Sequence, residues 1–352
     1  MFFLYFIPFI VGFFLSLFLT LFLIKIFPKL GIFFPAGKRN FYSNNIPRIG
    51  GIAIIGAFLS AIFFVGNLEF DNLKWGIVIS SVAILFFGFI DDIKKLSWKK
   101  QFFAQIIVAL VMIYMGLTVQ YIANPFGGAE FRLDSLVLGI AGHQYYFFSS
   151  IFILFLVVGF MNIVNWLDGL DGLAGGVGII GFLTLFFLSI SSLVDQPPLG
   201  IISIAATGAI LGFLPFNFYP AKIFMGTSGS MFIGFLLAVV SIFSGVKLAT
   251  VALVLTIPIL DAIWVIVRRI KNRSSIFSGD KTHLHYRLLE LGFSQKKIVF
   301  FYYSLSIFFG FIALKLGGLG KFIAFFIFIS LVILFVNLAE NRFSVKQNKK
   351  NR

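Results

Sequence analysis

The chain of 352 residues has no cysteine, only 13 acidic residues and only three histidines. The absence of cysteine excludes disulfides, cysteine-ligated zinc and a thiol nucleophile. Charged residues make up 12% of the chain, whereas an average soluble domain contains about 25%. This scarcity argues against a soluble globular enzyme. Long apolar blocks separate the basic residues, which argues against a soluble nucleic-acid-binding protein.

What the chain has instead is apolar sequence: 60% of the residues are hydrophobic, and 51 are Phe. Because a helix that crosses a bilayer needs about 20 apolar residues, the sequence predicts an all-α polytopic membrane protein with about eleven transmembrane helices. The first apolar run has neither a basic segment before it nor a cleavage pattern after it, so we interpret it as a retained span. The predicted spans are Phe2–Ile24, Gly50–Val65, Trp75–Ile90, Phe102–Ile122, Phe147–Met161, Leu173–Leu193, Leu199–Phe216, Met231–Phe243, Leu248–Val267, Ile298–Leu314 and Phe322–Leu338.

The formal net charge of +15 is distributed mainly over alternate loops. The positive-inside rule therefore predicts a protein of the cytoplasmic membrane with its N-terminus outside and its C-terminus in the cytoplasm. We expect one integral membrane domain over residues 1–340, with an active site at the cytoplasmic face, and a basic cytoplasmic tail over residues 341–352.

Two adjacent acids, Asp91 and Asp92, close the third predicted span. They meet the negative end of the helix dipole and repel each other. A divalent cation or a nearby basic group would relieve this repulsion. A solvated pair of acids among lysines explains the two residues equally well when they are considered alone.

A second polar cluster recurs every third residue: Asn162, Asn165, Asp168 and Asp171. On an α-helix this period predicts one slanting polar stripe, which runs from the end of one span into the next. Carboxylates and amides in so apolar a setting are costly unless they are paired, hydrated or bound to a ligand. The pattern therefore favours a functional role over a purely structural one.

The segment Phe216–Ser230 places small residues just before the eighth predicted span. Backbone N–H groups at such a helix start could bind phosphate. By itself, an ordinary glycine-containing turn with a Ser cap explains the segment better.

The segment Asp280–Gly292 predicts a short amphipathic helix, with Asp280 as its N-cap and Gly292 as its end. His283 and Arg287 would share one face. The helix could lie on the membrane surface or direct basic groups towards an anionic substrate. We favour the second interpretation because all four polar clusters are predicted on the same side of the membrane.

Together, acids that can hold a metal, basic groups that can hold phosphates and apolar spans that can hold a lipid tail suit phosphoryl transfer from a cytosolic donor to a lipid. A multispan transporter is the competing class. Transporters usually place polar sites near the middle of the bilayer, and only Asp261, near Pro258 in the ninth predicted span, fits that description. An acid that pairs with a kinked backbone explains Asp261 about as well.

Several motifs in this order resemble those of the polyprenyl-phosphate N-acetylhexosamine-1-phosphate transferases of glycosyltransferase family 4. The bacterial undecaprenyl-phosphate GlcNAc-1-phosphate transferases are the most similar branch, and the phospho-MurNAc-pentapeptide translocase is more distant. The resemblance implies transfer of a sugar-1-phosphate, with GlcNAc-1-phosphate favoured, from a UDP-sugar to undecaprenyl or another polyprenyl phosphate. UMP would be released in this first membrane step of a cell-envelope glycan. The motifs are Pro47–Gly51, Asp91–Gln105, Asn162–Ala174, Asn217–Ser230 and Asp280–Gly292.

The resemblance also implies roles for individual residues, Mg²⁺ as the metal with Mn²⁺ as its alternative, and compatibility with a homodimer. Asp91, Asp92 and Asp168 match catalytic positions, and Asn165 and Thr227 match metal-ligand positions. Asp171, Asn217 and Phe224 match the uridine site, where Phe224 would stack on uracil. His283, His285 and Arg287 match the loop that grips the diphosphate and sugar.

Three positions depart from the family pattern. Thr227 stands where the family has a metal-binding Asp, Tyr286 replaces the second of two paired histidines, and Tyr42 replaces a histidine of the first cytoplasmic loop. A neutral hydroxyl is a weaker Mg²⁺ ligand than a carboxylate. We therefore expect weak metal binding and weak transferase activity. The alternative to a transferase is a catalytically weakened member of the family that is retained for binding lipid or protein.

Overall fold

The computed structural model describes residues 2–27, 46–64, 71–124, 126–140, 142–192, 194–243, 248–273, 275 and 282–330. Tyr42, Asp280 and the basic tail 341–352 lie outside the described residues. The helices are α1 Phe2–Ile26, α2 Gly50–Phe64, α3 Asp71–Lys94, α4 Trp98–Tyr114, α5 Phe147–Leu167, α6 Leu173–Ser189, α7 Pro197–Asn217, α8 Gly226–Ile242, α9 Leu248–Val254, α10 Thr256–Lys271, α11 Leu284–Glu290, α12 Gln295–Lys315 and α13 Gly318–Ser330.

The apolar runs form helices because a bilayer offers no hydrogen-bond partners, so each segment must satisfy its own backbone groups. Within the described residues, five helices are long and apolar enough to cross a membrane. The bent pair α9–α10, with an angle of 78° between its halves, would be a sixth span. The all-α polytopic membrane fold is thus confirmed, whereas the count of eleven spans and the orientation stay predictions.

One predicted span, Phe102–Ile122, is wrong in its second half. Helix α4 ends at Tyr114 because Gly116 adopts a φ of 96°, and the Leu117 N–H donates to the Met112 carbonyl over 2.9 Å. This is the pattern of a glycine C-terminal stop.

Two small antiparallel hairpins that the sequence analysis did not predict follow this stop. Strand β1 (Tyr121–Ile122) pairs with β2 (Phe131–Arg132), and β3 (Val137–Ile140) pairs with β4 (His143–Tyr146).

Helices α1 and α7 pack with their backbones in close contact. A Cβ added at Gly208 would collide with the Phe9 carbonyl oxygen, and one added at Gly212 would collide with the Phe13 carbonyl oxygen. Small residues one turn apart allow such an approach, and in lipid this packing replaces the hydrophobic driving force between helices.

Helix α8 is the centre of the bundle. Every residue from Ser228 to Ile242 is buried, and the helix contacts α2, α3, α5 and α6. A helix that is apolar on all sides belongs in such an interior. Its first two turns carry the polar side chains of Thr227, Ser228 and Ser230 to the end of the bundle where α3, α5 and α7 end and where α4 and α6 begin. That end of the bundle contains the candidate site.

Candidate active site

The two acids of α3 and the first turn of α8 form the centre of the candidate site. The Thr227 N–H donates to Asp92 Oδ1 over 2.8 Å, and the Thr227 hydroxyl donates to Asp91 Oδ2 over 2.7 Å. The Ser228 hydroxyl donates to Asp92 Oδ2 over 3.3 Å. Both carboxylates are buried. The structure thus brings Asp91, Asp92 and Thr227 into direct contact.

These contacts provide hydrogen-bond acceptors for backbone N–H groups in the first turn of α8. Asp92 of α3 accepts the N–H of Thr227, so it acts as the cap that the sequence analysis assigned to a Ser. Gly226 is the first residue of α8 and has a φ of 77°, and a Cβ there would collide with the Asp92 carboxylate. The segment is therefore a glycine turn closed by Asp92. This agrees with the glycine-containing turn that the sequence analysis favoured over a phosphate-binding helix start. The predicted Ser cap is wrong.

The other oxygen of Asp91 ties the site to α4. Asp91 Oδ1 accepts the Leu96 N–H and the Gln101 side-chain amide, each over 2.8 Å. Adjacent to this contact, Gln105 of α4 and Asn162 of α5 pair through their amides, with an Asn162 Nδ2 to Gln105 Oε1 distance of 2.7 Å. The amides thus join α4 to α5 beside the acids.

The predicted polar stripe does not lie on a single helix. Helix α5 ends at Leu167, and Asp168 is its C-cap. Gly172 then begins α6 with a φ of 79°. Glycine permits this left-handed conformation without strain. The aspartate turn, residues 168–172, therefore separates Asp168 and Asp171 from the helical Asn162 and Asn165, and the prediction of one helical stripe is wrong.

The four stripe residues nevertheless stay at one end of the bundle. Asn165 Oδ1 accepts the Ser230 hydroxyl over 2.9 Å, which links α5 to the second turn of α8. Asp171 Oδ2 accepts the Ala221 N–H over 3.0 Å, which links the aspartate turn to the segment that follows α7.

Asp168 differs from the other acids of the site. Among the described residues its carboxylate interacts only through charge, with Arg48, Asp92 and Asp171. The residue is half-buried, yet protein atoms withdraw its carboxylate from bulk water. Burial is the main cause that raises the pKa of Asp168 to about 8; Arg48 opposes the shift, and the negative charges of Asp92 and Asp171 add to it. Asp168 is therefore the acid whose oxygens are most available to a ligand.

Asn217 and Phe224, two of the residues assigned to uridine by resemblance, are fixed by the backbone around them. Asn217 is buried; its Oδ1 accepts the Gly172 N–H over 3.1 Å, and its Nδ2 donates to the Ile223 carbonyl over 3.0 Å. The Phe224 N–H donates to the Pro47 carbonyl over 2.8 Å. These bonds hold the segment before α8 in place, and the uridine roles stay predictions.

The histidine helix α11 begins at Leu284, with His283 as its N-cap residue, and Gly292 follows its end with a φ of 88°. The predicted end at Gly292 is thus confirmed, while the predicted N-cap at Asp280 is wrong because the observed N-cap, His283, lies three residues later. The rings of His283 and His285 stack with centroids 5.7 Å apart. Arg287 lies in the same helix and is half-buried.

Helix α11 packs onto the aspartate turn. A Cβ at Gly169 would collide with His285 Nε2 and would lie 2.8 Å from the Tyr286 hydroxyl. His285 and Tyr286 are both buried. The structure therefore joins the histidine segment to the aspartate segment, two motifs more than 100 residues apart in the chain.

An apolar groove of about 910 Å³ opens beside these polar groups. Its walls come from α4, α5 and α10, and its polar end includes Gln105, Asn162, Arg269 and His283. A groove with apolar walls and a few convergent polar groups is the usual form of a binding site for a largely apolar ligand.

Sequence reasoning did not assign four residues that shape the site to it, although it had singled out Asp261 as an acid within a predicted span. Arg48 interacts electrostatically with Asp92 and Asp168. Gln101 binds Asp91, Asp261 binds His283, and the Tyr303 hydroxyl donates to the Gly172 carbonyl. Arg48 and Gln101 lie within the family motifs Pro47–Gly51 and Asp91–Gln105, so the motifs could have identified them as candidate site residues. The local sequence gives no signal for Tyr303, because its partner lies 131 residues away.

The oxygen donors at this end of the bundle suit Mg²⁺ chemically. Mg²⁺ is usually held by one or two carboxylates and completes its coordination with water and substrate phosphates. Asp91 and Asp92 with the Thr227 hydroxyl and the Asn165 amide supply such a set, and Asp168 is nearby. Within the described chain, no three His, Cys, Asp or Glu residues form a group that could hold a metal ion. The donors fit a site of two carboxylates, and Mg²⁺ binding stays a prediction.

Comparison with known proteins identifies the relatives of this chain. A sequence profile described as Glycosyl transferase family 4 matches residues 74–245. A probable undecaprenyl-phosphate N-acetylglucosaminyl 1-phosphate transferase of Bacillus subtilis is 31% identical over 319 residues, which cover 89% of this chain and 85% of that protein. A decaprenyl-phosphate N-acetylglucosaminephosphotransferase of Mycobacterium tuberculosis is 33% identical over 306 residues, which cover 78% of this chain and 73% of that protein.

A more distant relative is a phospho-N-acetylmuramoyl-pentapeptide-transferase of Staphylococcus epidermidis, 29% identical over 283 residues, which cover 77% of this chain and 85% of that protein. The family profile, the extent of these matches and the helical membrane fold agree with one another. The chain therefore belongs to glycosyl transferase family 4, among the polyprenyl-phosphate N-acetylhexosamine-1-phosphate transferases.

Proposed function

We propose that this protein transfers GlcNAc-1-phosphate from UDP-GlcNAc to a polyprenyl phosphate at the cytoplasmic face of the cell membrane. The observation that carries the proposal is that the buried Asp91, adjacent to the buried Asp92, accepts a hydrogen bond from Gln101, which lines a large apolar groove. The groove suits a polyprenyl chain, and its polar end suits the phosphate at the end of that chain. The relatives named for GlcNAc favour this sugar over N-acetylmuramoyl-pentapeptide.

The reaction needs positioning more than it needs covalent participation of the protein. An oxygen of the lipid phosphate attacks the β-phosphorus of the UDP-sugar, and the bond from that phosphorus to the bridging oxygen breaks. UMP leaves with the bonding electron pair, and the lipid retains the new diphosphate linkage to the sugar. A lipid phosphate is already ionised near neutral pH, so its attack needs no strong base.

The residues of this chain have distinct tasks in this proposal. Asp91 and Asp92 hold the end of α3 against Thr227 and provide the carboxylates of a metal site. Bound Mg²⁺ would supply neutralisation of phosphate charge. Asp168 would complete the coordination in its deprotonated form. The histidine helix α11 would orient the phosphates of the donor.

A catalytically weakened member that binds lipid or protein is the second candidate, and Thr227 favours it. Its hydroxyl already donates to Asp91 over 2.7 Å, so the protein itself satisfies part of the acidic cluster. The apolar groove would suit lipid binding by such a weakened member equally well.

The test is a panel of UDP-GlcNAc, UDP-GalNAc and UDP-MurNAc-pentapeptide with undecaprenyl phosphate and Mg²⁺ or Mn²⁺, using purified protein in lipid nanodiscs. We expect lipid-linked product with UDP-GlcNAc and a loss of at least ~100-fold in Asp91→Asn and Asp92→Asn, the scale of a lost electrostatic group. Asp134→Asn is the matched control because Asp134 pairs with Arg132 in the hairpin region. Absence of product from every donor with either metal would favour the binding protein.

A further inference from the structure

The carboxylate of Asp261 is bound on both of its oxygens by the start of the histidine helix. Asp261 Oδ2 lies 2.8 Å from His283 Nδ1, and Asp261 Oδ1 accepts the Leu284 N–H over 2.7 Å. The side chains of Asp261 and His283 are 10% and 4% exposed. One acid in α10 thus fixes both the backbone and the imidazole at the beginning of α11.

We propose that Asp261 is a positioning residue that holds His283 in a single tautomer and thereby presents its Nε2 atom to the substrate phosphates. The claim about presentation rests on the proposed function, whereas the claim about the tautomer does not. The contacts of Asp261 with α11 also favour anchoring over the transporter and kinked-backbone interpretations of this acid.

The tautomer follows from the hydrogen-bonding capacity of the two groups. An ionised carboxylate only accepts hydrogen bonds, so Nδ1 of His283 must carry a hydrogen. In the neutral imidazole, Nε2 then keeps its lone pair, and in the charged imidazole it gains a hydrogen that a phosphate can accept. A carboxylate that holds one ring nitrogen sets the orientation and basicity of the other nitrogen.

The surroundings of the ring prevent an easy reorientation. His283 lies between Trp166, whose ring centroid is 5.9 Å away, and His285, whose ring is stacked at 5.7 Å with an interplanar angle of 7°. His283 also lines the polar end of the apolar groove. A ring that is confined on two sides and fixed at Nδ1 has its remaining nitrogen at a defined position.

Asp261→Asn separates anchoring from the choice of tautomer. The amide oxygen can still accept the Leu284 N–H, but the amide N–H₂ then faces His283 Nδ1 and can only donate to it. The imidazole must therefore carry its hydrogen on Nε2, while α11 keeps its anchor. We expect kcat to fall by roughly 10- to 100-fold, the usual effect of losing such a supporting carboxylate, with the KM for the donor changed far less.

A double variant tests whether the two residues act as a unit. Adding Asp261→Asn to His283→Gln should cause no further loss of kcat, because the group that Asp261 orients is already absent. Asp134→Asn is the matched control, since it removes one carboxylate from an ion pair on an exposed hairpin. Multiplicative losses in the double variant would contradict the proposal.

Nitrogen-15 NMR of labelled histidine gives a readout that needs no enzymatic activity. The chain has three histidines, so His→Gln variants assign each signal. In the neutral imidazole of His283, we expect the hydrogen on Nδ1 in the wild type and in Asp134→Asn, and on Nε2 in Asp261→Asn. A wild-type His283 with its hydrogen on Nε2 would overturn the proposal, even if Asp261→Asn failed to fold. If the wild type transfers no sugar, the proposed function fails while this test still decides the role of Asp261.

Discussion

Replacing Thr227 by Asp tests whether the first turn of α8 is part of a metal site. The Thr227 hydroxyl donates to Asp91 over 2.7 Å, and its N–H donates to Asp92 over 2.8 Å. The Thr227→Asp substitution removes the hydroxyl donor and adds a third carboxylate to the two already buried there. Its effect should therefore have opposite signs without and with Mg²⁺.

The magnitude follows from the spacing of these groups. Two unit charges about 4 Å apart interact by about 4 kcal/mol at an effective dielectric constant of about 20. Without a cation, Thr227→Asp should lower the free energy of unfolding by several kcal/mol or bind an extra proton. Mg²⁺ carries two charges, so its attraction to the new carboxylate exceeds each repulsion. A net gain of only about 1.4 kcal/mol would lower the half-saturating Mg²⁺ concentration tenfold.

The assay is a Mg²⁺ titration of transferase activity and of thermal midpoint, with both proteins in the same detergent and lipid. We expect weak activity in the wild type at millimolar Mg²⁺, higher activity in Thr227→Asp, and at least a ~10-fold lower half-saturating Mg²⁺ concentration. Thr227→Asn is the control because its amide matches the size of Asp without the charge. Identical titrations for wild type and Thr227→Asp would refute a metal-ligand position here and remove the main support for the weakened-member alternative.

Three further predictions concern the same end of the bundle. The pKa of Asp168 is raised from 3.8 to about 8, so the folded protein retains a proton that the unfolded chain has lost, and stability should fall as pH rises through this range. The thermal midpoint of the metal-free protein should therefore fall as pH rises, and Asp168→Asn should remove this pH dependence. Gly226→Ala should lower the free energy of unfolding by at least ~1–2 kcal/mol through its φ of 77° alone. The control is Gly139→Ala, which has open space around its Cβ and should change the thermal midpoint little. Tyr303→Phe removes one of two donors to the Gly172 carbonyl, which keeps the Gly176 N–H, and should lower the free energy of unfolding by about 0.5–1.5 kcal/mol; an unchanged free energy of unfolding would contradict this contact.

The membrane fold and the acids of the site could be predicted from local sequence. Long apolar runs require helices in lipid, and the position of Asp91 and Asp92 at the end of such a run placed them correctly in the last turn of α3. The prediction of one helical polar stripe was wrong because the i, i+3 spacing of polar residues does not take account of the glycines between them. Helix α5 ends at Leu167, and Gly172 precedes α6 with a positive φ, although the sequence Asp-Gly-Leu-Asp-Gly offered a turn signal.

Contacts across the bundle could not be predicted in the same way. Asp92 caps α8 over a separation of 135 residues, and Asp261 contacts His283 over a separation of 22 residues. Such pairings depend on helix packing, which hydropathy does not specify. The two hairpins were missed because their strands are short and follow Gly116, whose helix-ending role was not recognised.

In the proposed reaction a phosphoryl group moves with the sugar to a lipid, and the fate of the β-phosphate distinguishes this reaction from transfer of the sugar alone. UDP-GlcNAc carrying radioactive phosphorus only at the β position is incubated with undecaprenyl phosphate, Mg²⁺ and the protein in nanodiscs, and the lipid is then extracted. We expect the label to enter the lipid fraction while unlabelled UMP accumulates, at a low rate in the wild type and a higher rate in Thr227→Asp. Label that remains in the aqueous fraction as UDP or UDP-GlcNAc in both proteins would contradict it.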